Sequence, residues 1–154
     1  VEPARIAKTL SLRIGERVVR LATDEWAGGA VDPAGHVHLA TFRLDGGVPC
    51  WRWDLGDVVL QREIAMAHGR PAVGVLFRLL HSPRPVTLEL TPLCTWRDVH
   101  GERQAWAEPS VTAVADGFVF EGAYRVAGPG WQPGGDWYHG VYAREEAARG
   151  ARRR

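Results

Sequence analysis

The sequence predicts an all-β protein, an antiparallel β-sandwich followed by a short helical tail. Apolar and polar residues alternate over many short stretches. Clusters of Gly, Pro, Asp and Ser separate those stretches. Helical periodicity is almost absent before residue 143. About nine strands at intervals of roughly 8–14 residues suit a sandwich or a barrel, and strands of roughly 7–10 residues favour a sandwich.

Leu10, Leu12 and Ile14 alternate with Thr9, Ser11 and Arg13, and Gly15-Glu16 turns the chain into Val18-Val19-Arg20-Leu21, which predicts a hairpin. A loop over Ala27-Gly28-Gly29 and Asp32-Pro33-Ala34-Gly35 leads to a strand from His36 to Leu44. Asp45-Gly46-Gly47 then makes a tight turn, since successive glycines accept positive φ. The next strand runs from Val48 to Leu55, with Trp51, Trp53 and Leu55 on one face. Val58, Leu60, Arg62, Ile64 and Met66 alternate with Val59, Gln61, Glu63 and Ala65. The run Ala72 to Leu80 is apolar on both faces apart from Arg78, which predicts a strand between two layers. Val86, Leu88 and Leu90 define a further strand, followed by Val111 to Ala115, an Asp116-Gly117 turn, one strand from Phe118 to Val126, and a last one from Trp137 to Ala143. Ala143 to Arg149 is rich in helix formers and stops at Gly150. Residues 1–150 read as one sandwich domain and 151–154 as a disordered basic tail. Surface loops are expected at His100 to Pro109 and Gly128 to Gly135.

Composition narrows the function. The chain has 154 residues and a net charge of +1, which argues against a nucleic-acid partner bound through a strongly basic surface. No apolar run approaches the roughly 18 residues of a membrane span, so no membrane partner is expected. The chain opens at Val1 without a secretory leader and reads as an excised part of a longer, cytoplasmic protein. Arginine outnumbers lysine 18 to 1, a coding bias more than a binding strategy. Cys50 and Cys94 are too few for a disulfide scaffold and are expected to be reduced and buried. Of seven Trp, Trp51 and Trp53 are expected in the core, and Trp106 and Trp131 to be the most exposed.

Catalytic and metal chemistry find little footing. His36-Val37-His38 would place two imidazoles on one face of a strand, but no third ligand stands out, so no metal and no cofactor are expected. No Gly-x-Ser-x-Gly elbow and no phosphate-binding glycine loop occurs. Candidate carboxylates for an acid pair are Asp98, Glu102, Glu108, Asp136, Glu145 and Glu146, with no pairing legible. The densest polar-aromatic cluster runs from Thr95 to Glu102. Trp96, Arg97, Asp98, His100 and Glu102, with the nearby Trp106, are the candidate residues for carbohydrate or interdomain contact. The same residues could instead be an internal structural knot.

Four strings in order resemble one family. They are Val48-Pro49-Cys50-Trp51-Arg52-Trp53, Gln61 to Gly69, Phe77-Arg78-Leu79-Leu80, and Thr91-Pro92-Leu93-Cys94-Thr95-Trp96-Arg97-Asp98-Val99-His100. Together they resemble the N-terminal domain of bacterial and archaeal glycogen debranching enzymes of the amylo-α-1,6-glucosidase type. The segment from Asp136-Trp137-Tyr138 to Arg149-Gly150 is similar to that family's closing segment. Where the family pattern reads Glu-Lys-Arg, this chain has Gln61-Arg62-Glu63. The resemblance implies a mutarotase-like supersandwich, inactive alone, because the family's hydrolytic acids lie in a separate helical barrel. It implies that barrel as a partner, in the same chain or another, with an α-glucan as a further partner, and a role in supporting the barrel's substrate cleft. Two other classes remain open. One is a free-standing carbohydrate-binding module, suggested by the tryptophans. The other is a small sugar epimerase using His100 with Asp98 or Glu102.

Overall fold

The computed structural model describes residues 9–26, 28–96 and 108–134. It is nearly all β, with twelve strands and a single turn of 3-10 helix among these residues. The chain divides into two compact units. One comprises Leu10–Thr23 and Pro33–Glu89, and the other includes Asp24–Asp32 and the chain from Leu90 onward.

The first unit is a sandwich. Its smaller sheet has the order β2-β1-β9, built from β1 (Thr9–Ile14), β2 (Arg17–Arg20) and β9 (Thr87–Thr91). Its larger sheet has the order β5-β6-β7-β8, from β5 (Leu39–Asp45), β6 (Val48–Asp54), β7 (Val59–Met66) and β8 (Val73–His81). All pairings within the larger sheet are antiparallel. Leu10, Leu12 and Ile14 bring the inner face of β1 against Trp53, Val58 and Leu60, with Val19, Leu21 and Ala22 closing the same core. Each such aliphatic side chain stabilises the fold by about 1.5–3 kcal/mol through the water it sheds. Arg13 donates through Nε and Nη2 to Oε1 of Glu89 (3.0 and 2.7 Å), tying β1 to β9 on the outer surface. That exposed pair is worth at most about 1 kcal/mol.

The expected hairpin and its Gly15-Glu16 turn are present, as is the Asp45-Gly46-Gly47 turn, where φ is 56° at Gly46 and 87° at Gly47. Three expectations are corrected. The strand foreseen from His36 begins at Leu39, because Gly35–His38 forms a 3-10 turn. Gly35 donates to the Ala22 carbonyl, a Cβ at Gly35 would overlap the Leu21 backbone, and His36 N–H is taken by Thr23 Oγ1 (2.9 Å). These bonds coil the backbone, so the two imidazoles do not line a strand. Second, β8 does not lie between layers. Among the described residues it pairs only with β7, and most of its side chains are exposed.

Third, in the second unit the strand foreseen over Phe118–Val126 is two strands. β10 (Val111–Val114), β11 (Gly117–Phe120) and β12 (Tyr124–Ala127) form an antiparallel sheet in that order. The break falls at Glu121-Gly122, with φ of 54° and 65°. Glu121 Oε1 accepts the Ser110 N–H (2.7 Å), and Ser110 O accepts the Glu121 N–H (2.8 Å), which hold a non-glycine residue in that left-handed conformation. Phe118, Phe120 and Cys94 form this unit's core. The remaining described strands, β3 (Thr23–Glu25) and β4 (Val31–Ala34), make a two-stranded ribbon. The strand foreseen over 137–143, the helix over 143–149 and the tail at 151–154 lie outside the described residues. No helix among the described residues is long and apolar enough to cross a membrane.

Two substitutions probe these cores. Leu12→Ala removes a fully buried side chain and is expected to cost about 2–5 kcal/mol, measured by urea unfolding. Gly117→Ala places a methyl group into the Val126 carbonyl oxygen. We expect a loss of about 1–3 kcal/mol, with exchange protection falling first in β10–β12.

Candidate functional site

In the second unit, an aromatic foundation supports the start of the polar-aromatic segment. Phe120 and Tyr124 stand 5.4 Å apart between ring centroids, and Phe118 and Trp131 stand 4.9 Å apart. Tyr124 Oη donates to the Thr95 carbonyl (3.2 Å), which fixes the backbone just before Trp96. The Trp96 ring lies 6.4 Å from that of Tyr124 at 55° and remains 58% exposed. An exposed indole backed by a tyrosine is a flat apolar surface that a sugar face or a protein surface can cover. Burial pushes the Cys94 thiol above its ordinary pKa, partly offset by a hydrogen bond with Tyr124, which disfavours the thiolate in this core position.

Of the six candidate residues, the structure places Trp96 alone. Arg97, Asp98, His100, Glu102 and Trp106 lie outside the described residues. Trp131, expected among the most exposed, is instead half-buried against Phe118. Trp53 is buried and Trp51 packs partly into the same core, as their shared face predicts. Cys50 and Cys94 are both free and buried. Among the described residues no group of three His, Cys, Asp or Glu side chains could hold a metal ion.

A polar network in the first unit escaped the sequence reading. Strand register sets Arg52, Gln61 and Arg78 side by side across β6, β7 and β8. Arg52 Nη2 donates to Gln61 Oε1 (3.2 Å), Gln61 Nε2 to Glu63 Oε1 (2.8 Å), and Arg78 Nε to the same carboxylate oxygen (2.9 Å). The Arg78 and Gln61 hydrogen bonds hold the Glu63 carboxyl below the ordinary carboxylate range, aided by the charges of Arg78 and Arg43. The rearranged string Gln61-Arg62-Glu63 thus acquires a structural meaning. Gln61 and Glu63 join the network, while Arg62 points to the opposite face of the sheet.

The fold and this geometry define a class, an antiparallel β-sandwich protein with an aromatic platform at Trp96 and Tyr124. The particular family follows from comparison. Residues 5–154 match the family described as glycogen debranching enzyme N terminal, and the chain belongs to it. Among curated proteins and among solved structures none matches.

The network yields a pH prediction. A carboxyl whose pKa is depressed on folding stabilises the native state above its unfolded pKa of about 4.3. That contribution disappears as pH falls through the lower, folded value. The melting temperature of the wild type should therefore exceed that of Glu63→Gln at neutral pH, and the gap should close as pH drops below about 4. A gap that stays constant in a thermal scan from pH 7 to 3 would remove the network's electrostatic role.

Proposed function

We propose that this chain is the non-catalytic N-terminal domain of an amylo-α-1,6-glucosidase-type glycoside hydrolase. In this reading it supports the substrate cleft of a helical-barrel catalytic domain. The observation that carries the proposal is the family membership over residues 5–154. It is supported by Trp96, which is held outward on Tyr124 immediately before Arg97, Asp98 and His100 in the chain. Guanidinium, carboxylate and imidazole groups satisfy one another across a polar interdomain contact. The reading places the protein in the cytoplasm, which its two free thiols suit.

A second reading, direct α-glucan contact, is favoured by the exposure of Trp96. Stacking on a sugar ring would use the solvent-exposed part of the indole. Affinity electrophoresis through glycogen separates the two. Retardation of the isolated chain that vanishes in Trp96→Ala would favour the glycan platform.

The main proposal predicts that the isolated chain releases no glucose from a branched limit dextrin. In the full-length enzyme, Asp98→Asn and His100→Ala should lower debranching activity severalfold while leaving the melting temperature of the isolated chain little changed. A large loss of stability in the isolated chain would instead mark the segment as an internal knot. Activity of the isolated chain that survives repurification and is abolished by Asp98→Asn or Glu102→Gln would point to a small sugar-acting enzyme.

A further inference from the structure

The larger sheet of the sandwich is apolar on its inner face well beyond the part that the smaller sheet covers. Opposed residues share a face, so Trp53 and Leu60 lie on the same side as Trp51 and Arg62, then as Ile64 with Val75, and Met66 with Val73. On β5 the matching residues are Phe42 and Leu44, opposite Trp51 and Pro49. The core packs on the end of this face that carries Trp53 and Leu60. Toward the other end, Phe42 is 56% exposed, Met66 76% and Val73 59%, with Leu44 and Val75 similarly open. That is a contiguous apolar shelf, larger in kind than the scattered surface leucines of an ordinary monomer.

At the border between covered and open halves stands Arg62. Its guanidinium lies 4.1 Å from the Trp51 ring centroid and 5.3 Å from that of Trp53. Its Nε is buried and has no hydrogen-bond partner among the described residues. Burial depresses its pKa, and no ion pair to it occurs among the described residues. A buried donor left without an acceptor is costly, and a carboxylate is the acceptor whose geometry matches a guanidinium fork.

We infer that the open half of this face, Phe42, Leu44, Met66, Val73 and Val75 around Arg62, is the docking surface for a polypeptide segment of alternating apolar residues that carries one carboxylate for Arg62. The inference goes beyond the proposed function and does not rest on it. A second copy of this chain is the wrong occupant on charge grounds. This face carries no Asp or Glu from β5 to β8, so pairing it with its own copy would bury two guanidiniums and no acid. A wholly apolar partner would leave Nε of Arg62 sealed from water and still unpaired. A strand-like segment with one acidic side chain satisfies both the shelf and the cation, and continues the smaller layer of the sandwich.

The test is photocrosslinking in the producing cell, with p-benzoylphenylalanine at Val75 as the probe and the adduct mapped by mass spectrometry. The expected result is one dominant adduct to a segment of alternating apolar residues that contains an Asp or Glu. Arg62→Glu should lower its yield about tenfold or more, and changing that acid to Arg in the Arg62→Glu background should restore it. Arg62→Met, which keeps the packing over Trp51, should show the same loss, and circular dichroism confirms that the sandwich persists. A dominant adduct to a second copy, no adduct, a yield indifferent to both variants, or a charge swap without rescue would each overturn the proposal.

Discussion

The seating of β1 on the larger sheet is the contact from which the first unit is built. Leu10, Leu12 and Ile14 form a row at strand spacing, and Trp53, Val58 and Leu60 receive it. A two-stranded hairpin is marginal in water by itself. It becomes a layer because this row removes apolar area on both sides of the interface. The position of β9 follows, since it pairs with β1, and so does the anchoring of Val86 and Leu88 on the same core. Gly35 is a secondary consequence. Its backbone approaches Leu21 too closely for any side chain, and the 3-10 turn that it opens delivers the chain into β5.

The two faces of the larger sheet have different chemistry, and the difference arises from single-residue alternation. Gln61 and Glu63 meet Arg52 and Arg78 on one face, while Leu60, Arg62 and Ile64 meet the aromatic and aliphatic residues of the other. A one-residue slip of β7 would exchange the two sets, bring Gln61 or Val59 opposite Trp53 and turn Leu60 to the outer face. Register is therefore set doubly, by the apolar row and by the hydrogen-bonded network. In the second unit an analogous small core of Phe118, Phe120 and Cys94 supports the aromatic platform. In both units the framework is apolar and the distinctive chemistry stands at its margin.

Much of this was legible in the chain. The hairpin, the Asp45-Gly46-Gly47 turn and the β6 face bearing Trp51, Trp53 and Leu55 follow from alternation and turn chemistry, which are local properties. So does the resemblance to the debranching-enzyme N-terminal family, carried by ordered strings of residues. What escaped depends on non-local facts. The run over β8 is apolar on both faces, yet nothing in its own residues reports whether a neighbour lies above or below. The break at Glu121-Gly122 sits inside a run of strand formers, and it is held by hydrogen bonds with Ser110, eleven residues away. The Arg52–Gln61–Glu63–Arg78 network requires three strands in register, with Arg78 fifteen residues from Glu63. Of the candidate site, Trp96 is placed and the five other residues lie outside the described part of the chain.

The central claim is that the hairpin layer clamps one half of the larger sheet and leaves the other half open. Native-state hydrogen exchange of the isolated chain, read amide by amide along β6 and β7, tests it most directly. The account predicts the slowest exchange at β1 and around Trp53 and Leu60, opening only with global unfolding, and markedly faster exchange from Ile64 to Met66 and along the adjoining part of β8. Uniform protection along the full length of β7, or slowest exchange at its Met66 end, would contradict it.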